Sequence, residues 1–182
     1  IMNEVIMPTV KGMNAEGNRY RGFLYAGVMI AADGTPKTLE YNCRFGDPET
    51  QPIMMRLRSD LAQMCLAAIN GKLDTVEADW DPRASLGVVL AAGGYPTDYP
   101  KGDVITGYDA ALPAHQKVFQ AGTAIKDGSV VTNGGRVLCA VSLGNTVAEA
   151  QAGAYDVVDK ISWNKMYFRT DIGHRAIARE QK

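Results

Sequence analysis

Glu40, Asn42 and Arg44 follow one another at intervals of two, and a loop of acids and turn formers, Phe45-Gly46-Asp47-Pro48-Glu49, comes directly after them. On an extended chain the side chains alternate between faces, so Glu40 and Asn42 project from the same side. A carboxylate oxygen beside a neutral amide oxygen suits a hard divalent cation such as Mg²⁺, which takes oxygen ligands and leaves room for substrate phosphates. If the strand persists, Arg44 shares that face, where a guanidinium grips a carboxylate or phosphoryl group through two parallel hydrogen bonds. A cation with a guanidinium is what phosphoryl transfer requires, because the charge spread over the transferring group must be neutralised. The spacing alone also describes a solvated edge strand, so the surrounding residues have to decide.

The elements that would position these residues are legible. Residues 21–31, RGFLYAGVMIA, are apolar and partly alternating and predict a buried strand. Asp33-Gly34, inside AADGTP, is a hairpin turn signal, and residues 37–43, KTLEYNC, form the returning strand. Ahead of the hairpin, Ile1, Val5, Ile6, Thr9, Val10 and Met13 recur at helical spacing to about Glu16, with Pro8 at a kink or in the first turn and Gly17 as the stop. The chain thus reads as starting inside a helix, without an initiator methionine or the residue order of a signal peptide, which points to a fragment.

Beyond RFGDPETQP a helix is expected from Ser59 or Asp60, with Leu61, Met64, Cys65, Ala68 and Ile69 as its apolar stripe and Gly71 as its stop. Residues 72–84 are polar, contain Pro82, and mark the best boundary between a domain at 1–80 and another at 81–182. The second half opens with a continuous apolar run, Leu86 to Ala92, fit for a central strand and ended by Gly93-Gly94-Tyr95-Pro96. Further strands are expected at 103–107, 117–124, 129–132 and 136–143, with a turn at Asp127-Gly128. A helix from Thr146 to about Ile161 turns Val147, Ala150, Ala154, Val157 and Val158 inward. The fold class is α+β.

Bulk properties set limits. A chain of 182 residues suffices for one or two domains with real cores. The formal net charge of −1 supplies no global field for nucleic acid or an anionic membrane, though a local cationic pocket for phosphate is compatible with it. No window approaches the roughly 18 apolar residues that span a bilayer. Cys43, Cys65 and Cys139 lie far apart, which fits reduced thiols in a cytoplasmic protein rather than a disulfide framework or a zinc site.

The string Arg44-Phe45-Gly46-Asp47-Pro48-Glu49, continued by Thr50 and Gln51, resembles the signature of glycinamide ribonucleotide synthetases, the phosphoribosylamine–glycine ligases of the ATP-grasp superfamily. PTVKGM and GFLYAGVMI before it resemble the same family, as do SLGVVLAAGGYP, VVTNGGRVL and DIGHRAI after it. The likeness covers essentially the whole chain and corresponds to about the last two-fifths of the family's usual length. It implies the carboxy-terminal part of an ATP-grasp core, an antiparallel sheet with helices, followed by a small β-rich hybrid-type domain.

By that resemblance Glu40 and Asn42 bind the Mg²⁺ or Mn²⁺ that bridges the phosphates of ATP, and Leu39 packs against adenine. Arg44 steadies the γ-phosphate or the acyl phosphate, and Asp47 and Glu49 shape the site of glycine and the amine. The implied reaction makes glycyl phosphate and ADP from glycine and ATP. The amine of phosphoribosylamine then displaces phosphate to give glycinamide ribonucleotide, a step of purine biosynthesis. Many ATP-grasp enzymes carry a further metal-binding carboxylate on the preceding strand; here that position falls near Ala26-Gly27, which leaves a second metal site open. Without the family's amino-terminal portion and its ATP clamp, the chain alone is expected to be inactive.

Other residues have readings of their own. Arg169 and Arg175, beside Asp171 and His174, read either as partners of the phosphoribosyl phosphate or as a surface ion-pair cluster. His115 reads as solvated, and the Gly93-Gly94 and Gly134-Gly135 pairs as turns without P-loop spacing. Trp80, Trp163, Tyr41 and Phe45 read as packing residues. Two other functions are compatible with the strand triplet: another ATP-grasp ligase or carboxylase, against which the D-P-E-T-Q continuation argues, and a non-catalytic folding or interaction module.

Overall fold

The structure, a computed structural model, describes residues 1–181. It is a mixed α/β fold built on antiparallel pairing, and it divides into two compact units. One comprises Ile1–Thr50 and Ser59–Asp79; the other takes Gln51–Arg58 and the chain from Trp80 onward.

In the first unit a π-helical turn, Met2–Ile6, runs into helix α1, Met7–Ala15. Pro8 occupies its first turn, where a helix needs no N–H, and Gly17 ends it at φ +81°. Strands β1 (Tyr25–Ile30) and β2 (Pro36–Asn42) form an antiparallel hairpin. Asp33 Oδ1 accepts the Thr35 N–H at 2.9 Å, and Gly34 takes φ +86° in the turn. β1 starts later than the apolar run suggests, because Gly22 turns the chain at φ +140° and Arg21 donates to the Ile69 carbonyl at 2.6 Å. Helix α3, Leu61–Ile69, starts where expected: the Asp60 side chain accepts from the Ala62 and Gln63 N–H groups.

Between hairpin and α3 lies an element that residue types did not announce, helix α2, Thr50–Arg56. Pro52 had marked this stretch as turn, yet it is only the third helical residue, within the first turn whose N–H groups have no intrahelical partner anyway.

The second unit holds the core. Strands β3 (Ala84–Ala91), β7 (Arg136–Gly144) and β4 (Gln116–Gln120) make an antiparallel sheet with β7 in the middle. Every residue of β7 after Arg136 is buried, which is why VLCAVSL reads as a continuous apolar run. Helix α4, Val147–Val158, is capped by Thr146, whose side chain accepts the Glu149 N–H. It packs Ala150, Ala154, Val157 and Val158 onto Leu86, Val88, Leu90, Leu138 and Ala140. A second ribbon pairs β5 (Thr123–Lys126) with β6 (Ser129–Thr132). Asp127 and Gly128 both take positive φ in its turn, the conformation that matches strand twist in a two-residue hairpin.

Several strand expectations need correction. The apolar run from Leu86 forms β3 at an edge of its sheet, with β7 in the middle, and no residue of β1 is buried. Residues 117–124 are not one strand: the chain leaves β7 at Gly122, where a Cβ would lie 2.7 Å from both the Arg136 carbonyl and the Gly134 Cα. Residues 103–107 make only isolated bridges, Val104 to Val131 and Thr106 to Ser162, because Gly102 and Gly107 take positive φ at either end. A short helix, α5 (His174–Glu180), follows the last expected element.

The Asp81 carboxylate is buried and accepts from Arg83 Nε at 2.9 Å, Arg83 Nη2 at 2.7 Å and Arg58 Nη2 at 3.0 Å. The Arg83 side chain first, then the Arg83 N–H, hold this carboxyl well below the usual carboxylate range. A depressed folded-state pKa contributes stability that is complete above the unfolded carboxyl's value of about 4 and is lost as pH falls below it. Thermal unfolding followed from pH 6 downward should therefore show a shallower acid loss for Asp81→Asn than for the parent; identical slopes would remove Asp81 from the acid response.

Gly153 sets a second test. Alanine inside a helix normally gains about 1 kcal/mol over glycine. Here its Cβ would sit 2.3 Å from Oγ and 2.9 Å from Cβ of the fully buried Ser142. Overpacking of that kind costs about 1–3 kcal/mol, so Gly153→Ala should lower the urea midpoint at unchanged slope.

Candidate functional site

The hairpin register builds the site. Tyr25 pairs with Asn42, Ala26 with Tyr41 and Gly27 with Glu40, whereas Val28 pairs with Thr38. Leu39 is therefore an extra residue on β2, a bulge one step before the acid. Directly opposed residues share a face, so Tyr25, Asn42, Gly27 and Glu40 lie together. Asn42 Nδ2 donates to Glu40 Oε1 at 3.1 Å, with Glu40 exposed and Asn42 half-buried. Gly27 makes the room: a Cβ there would come within 3.0 Å of Glu40 Cγ. Leu39, on the bulge, is 66% exposed.

Arg44 lies past the end of β2, so no pleat directs it, and its Nη1 donates to the Phe45 carbonyl at 2.8 Å. The signature loop is held from inside. Phe45 packs against Phe23 with ring centroids 4.2 Å apart and the planes tilted by 40°, and Thr50 Oγ1 donates to the Gly46 carbonyl at 2.8 Å. Gly46 is buried beneath Tyr25 and Glu49, where a Cβ would stand 2.3 Å from Glu49 Oε2 and 2.8 Å from Tyr25 Cε2. Asp47 and Glu49 are both exposed on this loop.

Tyr25 joins the two halves of the cluster. Its hydroxyl donates to Glu49 Oε1 at 3.4 Å, and its ionisation is pushed up chiefly by the Glu49 charge, with Glu40 adding and Arg44 opposing. Glu40, Glu49 and Arg44 thus act on one spot. Tyr25, Gly27 and Gly46 were not singled out from residue types. Counting pairs back from the Asp33-Gly34 turn would have set Glu40 opposite Ala26, and the bulge moves that register by one.

Of the remaining expected residues, Arg169 and Arg175 lie in the second unit and are exposed. Arg169 is engaged by Asp171 through Nε at 2.9 Å and Nη2 at 2.7 Å, the ion-pair arrangement. No group of three or more histidine, cysteine or carboxylate side chains among the described residues could enclose a metal ion. Glu40 and Asn42 offer two side-chain oxygens, a number compatible with a cation that completes its shell with phosphates and water.

Profiles of known families match both parts of the chain: "Phosphoribosylglycinamide synthetase, ATP-grasp (A) domain" over residues 1–50 and "Phosphoribosylglycinamide synthetase, C domain" over residues 85–175. The chain belongs to the phosphoribosylglycinamide synthetase family. A phosphoribosylamine–glycine ligase of Vibrio cholerae is 68% identical over 181 residues, covering 100% of this chain and 42% of that protein. One of Pseudomonas aeruginosa is 61% identical over 181 residues, again covering 100% of this chain and 42% of that one. The crystal structure of the phosphoribosylamine–glycine ligase of Thermotoga maritima is similar with a TM-score of 0.78 at 40% identity, over 93% of this chain and 41% of that one. The chain spans about two-fifths of the length of these relatives. Among the described residues no helix is long and apolar enough to cross a membrane.

The cluster of this family member can be tested directly. Labelled at the phenol carbon and followed by NMR, Tyr25 should titrate above the ordinary tyrosine value of about 10. Glu49→Gln should bring it down toward that value; an unmoved titration would show that Glu49 does not face the hydroxyl.

Proposed function

We propose that this chain is the carboxy-terminal two-fifths of an ATP-grasp ligase that joins glycine to phosphoribosylamine at the expense of ATP. Residues 1–80 form the end of the catalytic domain and 81–182 a β-rich hybrid-type domain, in a cytoplasmic enzyme of purine biosynthesis. The observation that carries this reading is the Glu40–Asn42 pair, on one face and open to solvent, inside the stretch that matches the ATP-grasp domain profile.

On this reading Glu40 and the Asn42 amide oxygen would hold the Mg²⁺ or Mn²⁺ that accompanies ATP. The ion supplies charge neutralisation as the γ-phosphoryl group moves. Asn42 presents its nitrogen to Glu40, so holding an ion through its oxygen would require the amide to turn. Leu39, held out by the bulge, offers an apolar surface to adenine. Arg44 exchanges the Phe45 carbonyl for a phosphoryl or acyl phosphate oxygen.

The glycine carboxylate attacks the γ-phosphorus and ADP departs, leaving glycyl phosphate. The amine nitrogen of phosphoribosylamine then attacks the acyl carbon, phosphate leaves, and the nitrogen loses a proton as the amide forms. Asp47 and Glu49 shape the pocket for glycine and the amine. No side-chain nucleophile is required, and neither histidine takes part.

In a full-length ligase carrying this sequence, Glu40→Gln should cut glycine-dependent ADP release by roughly 10²-fold or more, as loss of a charge-stabilising group does; undiminished turnover at ordinary Mg²⁺ would remove Glu40 from the site. The isolated 182-residue chain should release no ADP in the same assay.

A further inference from the structure

The second unit carries a groove of its own, of about 820 Å³, a size that admits a small ligand. One wall is the loop 93–100, which brings Tyr95 and Asp98. The other is the stretch 165–169, which brings Lys165, Tyr167 and Arg169. The glycine pair that reads as a turn in the sequence is also a close crossing. A Cβ on Gly93 would stand 2.6 Å from both the Cβ and the carbonyl oxygen of Lys165, so only glycine lets the walls meet. Lys165 itself takes φ +56°, a left-handed conformation that a residue with a Cβ adopts at a cost.

The surrounding structure holds that stretch at several points. Tyr167 and Ala91 exchange backbone hydrogen bonds of 2.7 and 2.9 Å. The Tyr155 hydroxyl donates to the Arg169 carbonyl at 2.6 Å and accepts the Ile172 N–H at 3.2 Å. Gln151 Nε2 donates to the Ile172 carbonyl at 2.6 Å. Asp171 engages Nε and Nη2 of Arg169, which orients the guanidinium and leaves its Nη1 edge outside the pair. A strained backbone that is firmly supported recurs where side chains are presented to a ligand.

The two walls differ in charge. Lys165 and Arg169 are exposed on one, and Asp98 is exposed on the other. An ammonium and a guanidinium together suit a phosphate dianion. A carboxylate facing them repels a bare anion but accepts hydrogen bonds from hydroxyl groups. Tyr95 and Tyr167 add ring faces for carbon and phenol groups for hydrogen bonding. A sugar phosphate, anionic at one end and hydroxylated at the other, satisfies both walls, and inorganic phosphate satisfies one. We propose that this groove is a phosphosugar subsite, in which Lys165 and Arg169 take the phosphate and Asp98 accepts from a sugar hydroxyl. The identity of the sugar phosphate, the phosphoribosyl group, rests on the ligase reading; the groove's own chemistry does not.

Ribose 5-phosphate is the probe, since it carries the phosphate and hydroxyls of phosphoribosylamine without the amine. Added to the isotope-labelled 182-residue chain, it should shift the NMR signals of 93–100 and 165–169 saturably, whereas ribose should shift none. Inorganic phosphate should bind about tenfold more weakly, as should ribose 5-phosphate to Lys165→Gln and to Arg169→Gln, each lacking one charged contact. Lys165→Arg should retain binding, and Lys126→Gln, at an exposed lysine outside the groove, should leave it unchanged. These side chains are exposed, so the unfolding temperature should hold in every variant. In a full-length ligase carrying this sequence, Lys165→Gln should raise KM for phosphoribosylamine and leave KM for glycine unchanged.

Equal affinity for inorganic phosphate, shifts confined to other residues, or binding indifferent to Lys165 and Arg169 would overturn the proposal. An unchanged phosphoribosylamine KM in an active Lys165→Gln ligase would do the same. Ribose 5-phosphate held in the groove and lost in the two glutamine variants, beside a full-length protein that releases no ADP, would uphold the subsite and count against the ligase reading instead.

Discussion

The register of one hairpin governs the site. Antiparallel pairing sets side chains opposite one another at fixed spacing, and here it opposes Gly27 to Glu40 and Tyr25 to Asn42. The placement of Glu40 and of Tyr25 in the cluster follows from those two pairs. The carboxylate has room because its cross-strand neighbour is a glycine, and the tyrosine reaches the loop carboxylate because it starts beside the amide. A slip of one residue would send Glu40 and Asn42 to the other face. The bulge at Leu39 both sets this register and lifts an apolar side chain into solvent next to the acid.

The two units solve the burial problem differently. In the second, a central strand buried along nearly its whole length is covered by a helix whose small residues, Ala150, Gly153 and Ala154, allow close approach. In the first, hairpin and helices are well formed locally, through the Asp60 cap, the Asp33 turn and the positive-φ glycines, yet they leave their apolar sides open. Local hydrogen bonding and capping are enough to define such elements, but hydrophobic burial is what makes a domain independent.

Much of this was legible from residue types. The hairpin turn, the Asp60 and Thr146 caps, the strand at 136–143 and the helix after Thr146 all follow from signals within a few residues of the chain. Elements were missed where a local signal was outweighed by its context. Pro52 breaks a helix in general but not in a first turn, and Gly122 interrupts a run of strand formers because two backbones touch there. In the site, Glu40 and Asn42 stood out as a pair of oxygen donors, whereas Tyr25 was hidden in an apolar run and Gly46 looked like one more turn residue.

The sequence by itself determined which groups this protein can bring to bear, and on which side of a strand, since alternation along a backbone is a local property. It also carried the family resemblance, through the string from Arg44 to Glu49. Only the tertiary structure decided that Tyr25 meets Glu49, that Gly27 faces Glu40 across a bulge, and that Asp81 is clamped by Arg58 and Arg83. Those depend on pairing between segments far apart in the chain. Their geometry is set by the packing of whole elements, which no short window of residues contains.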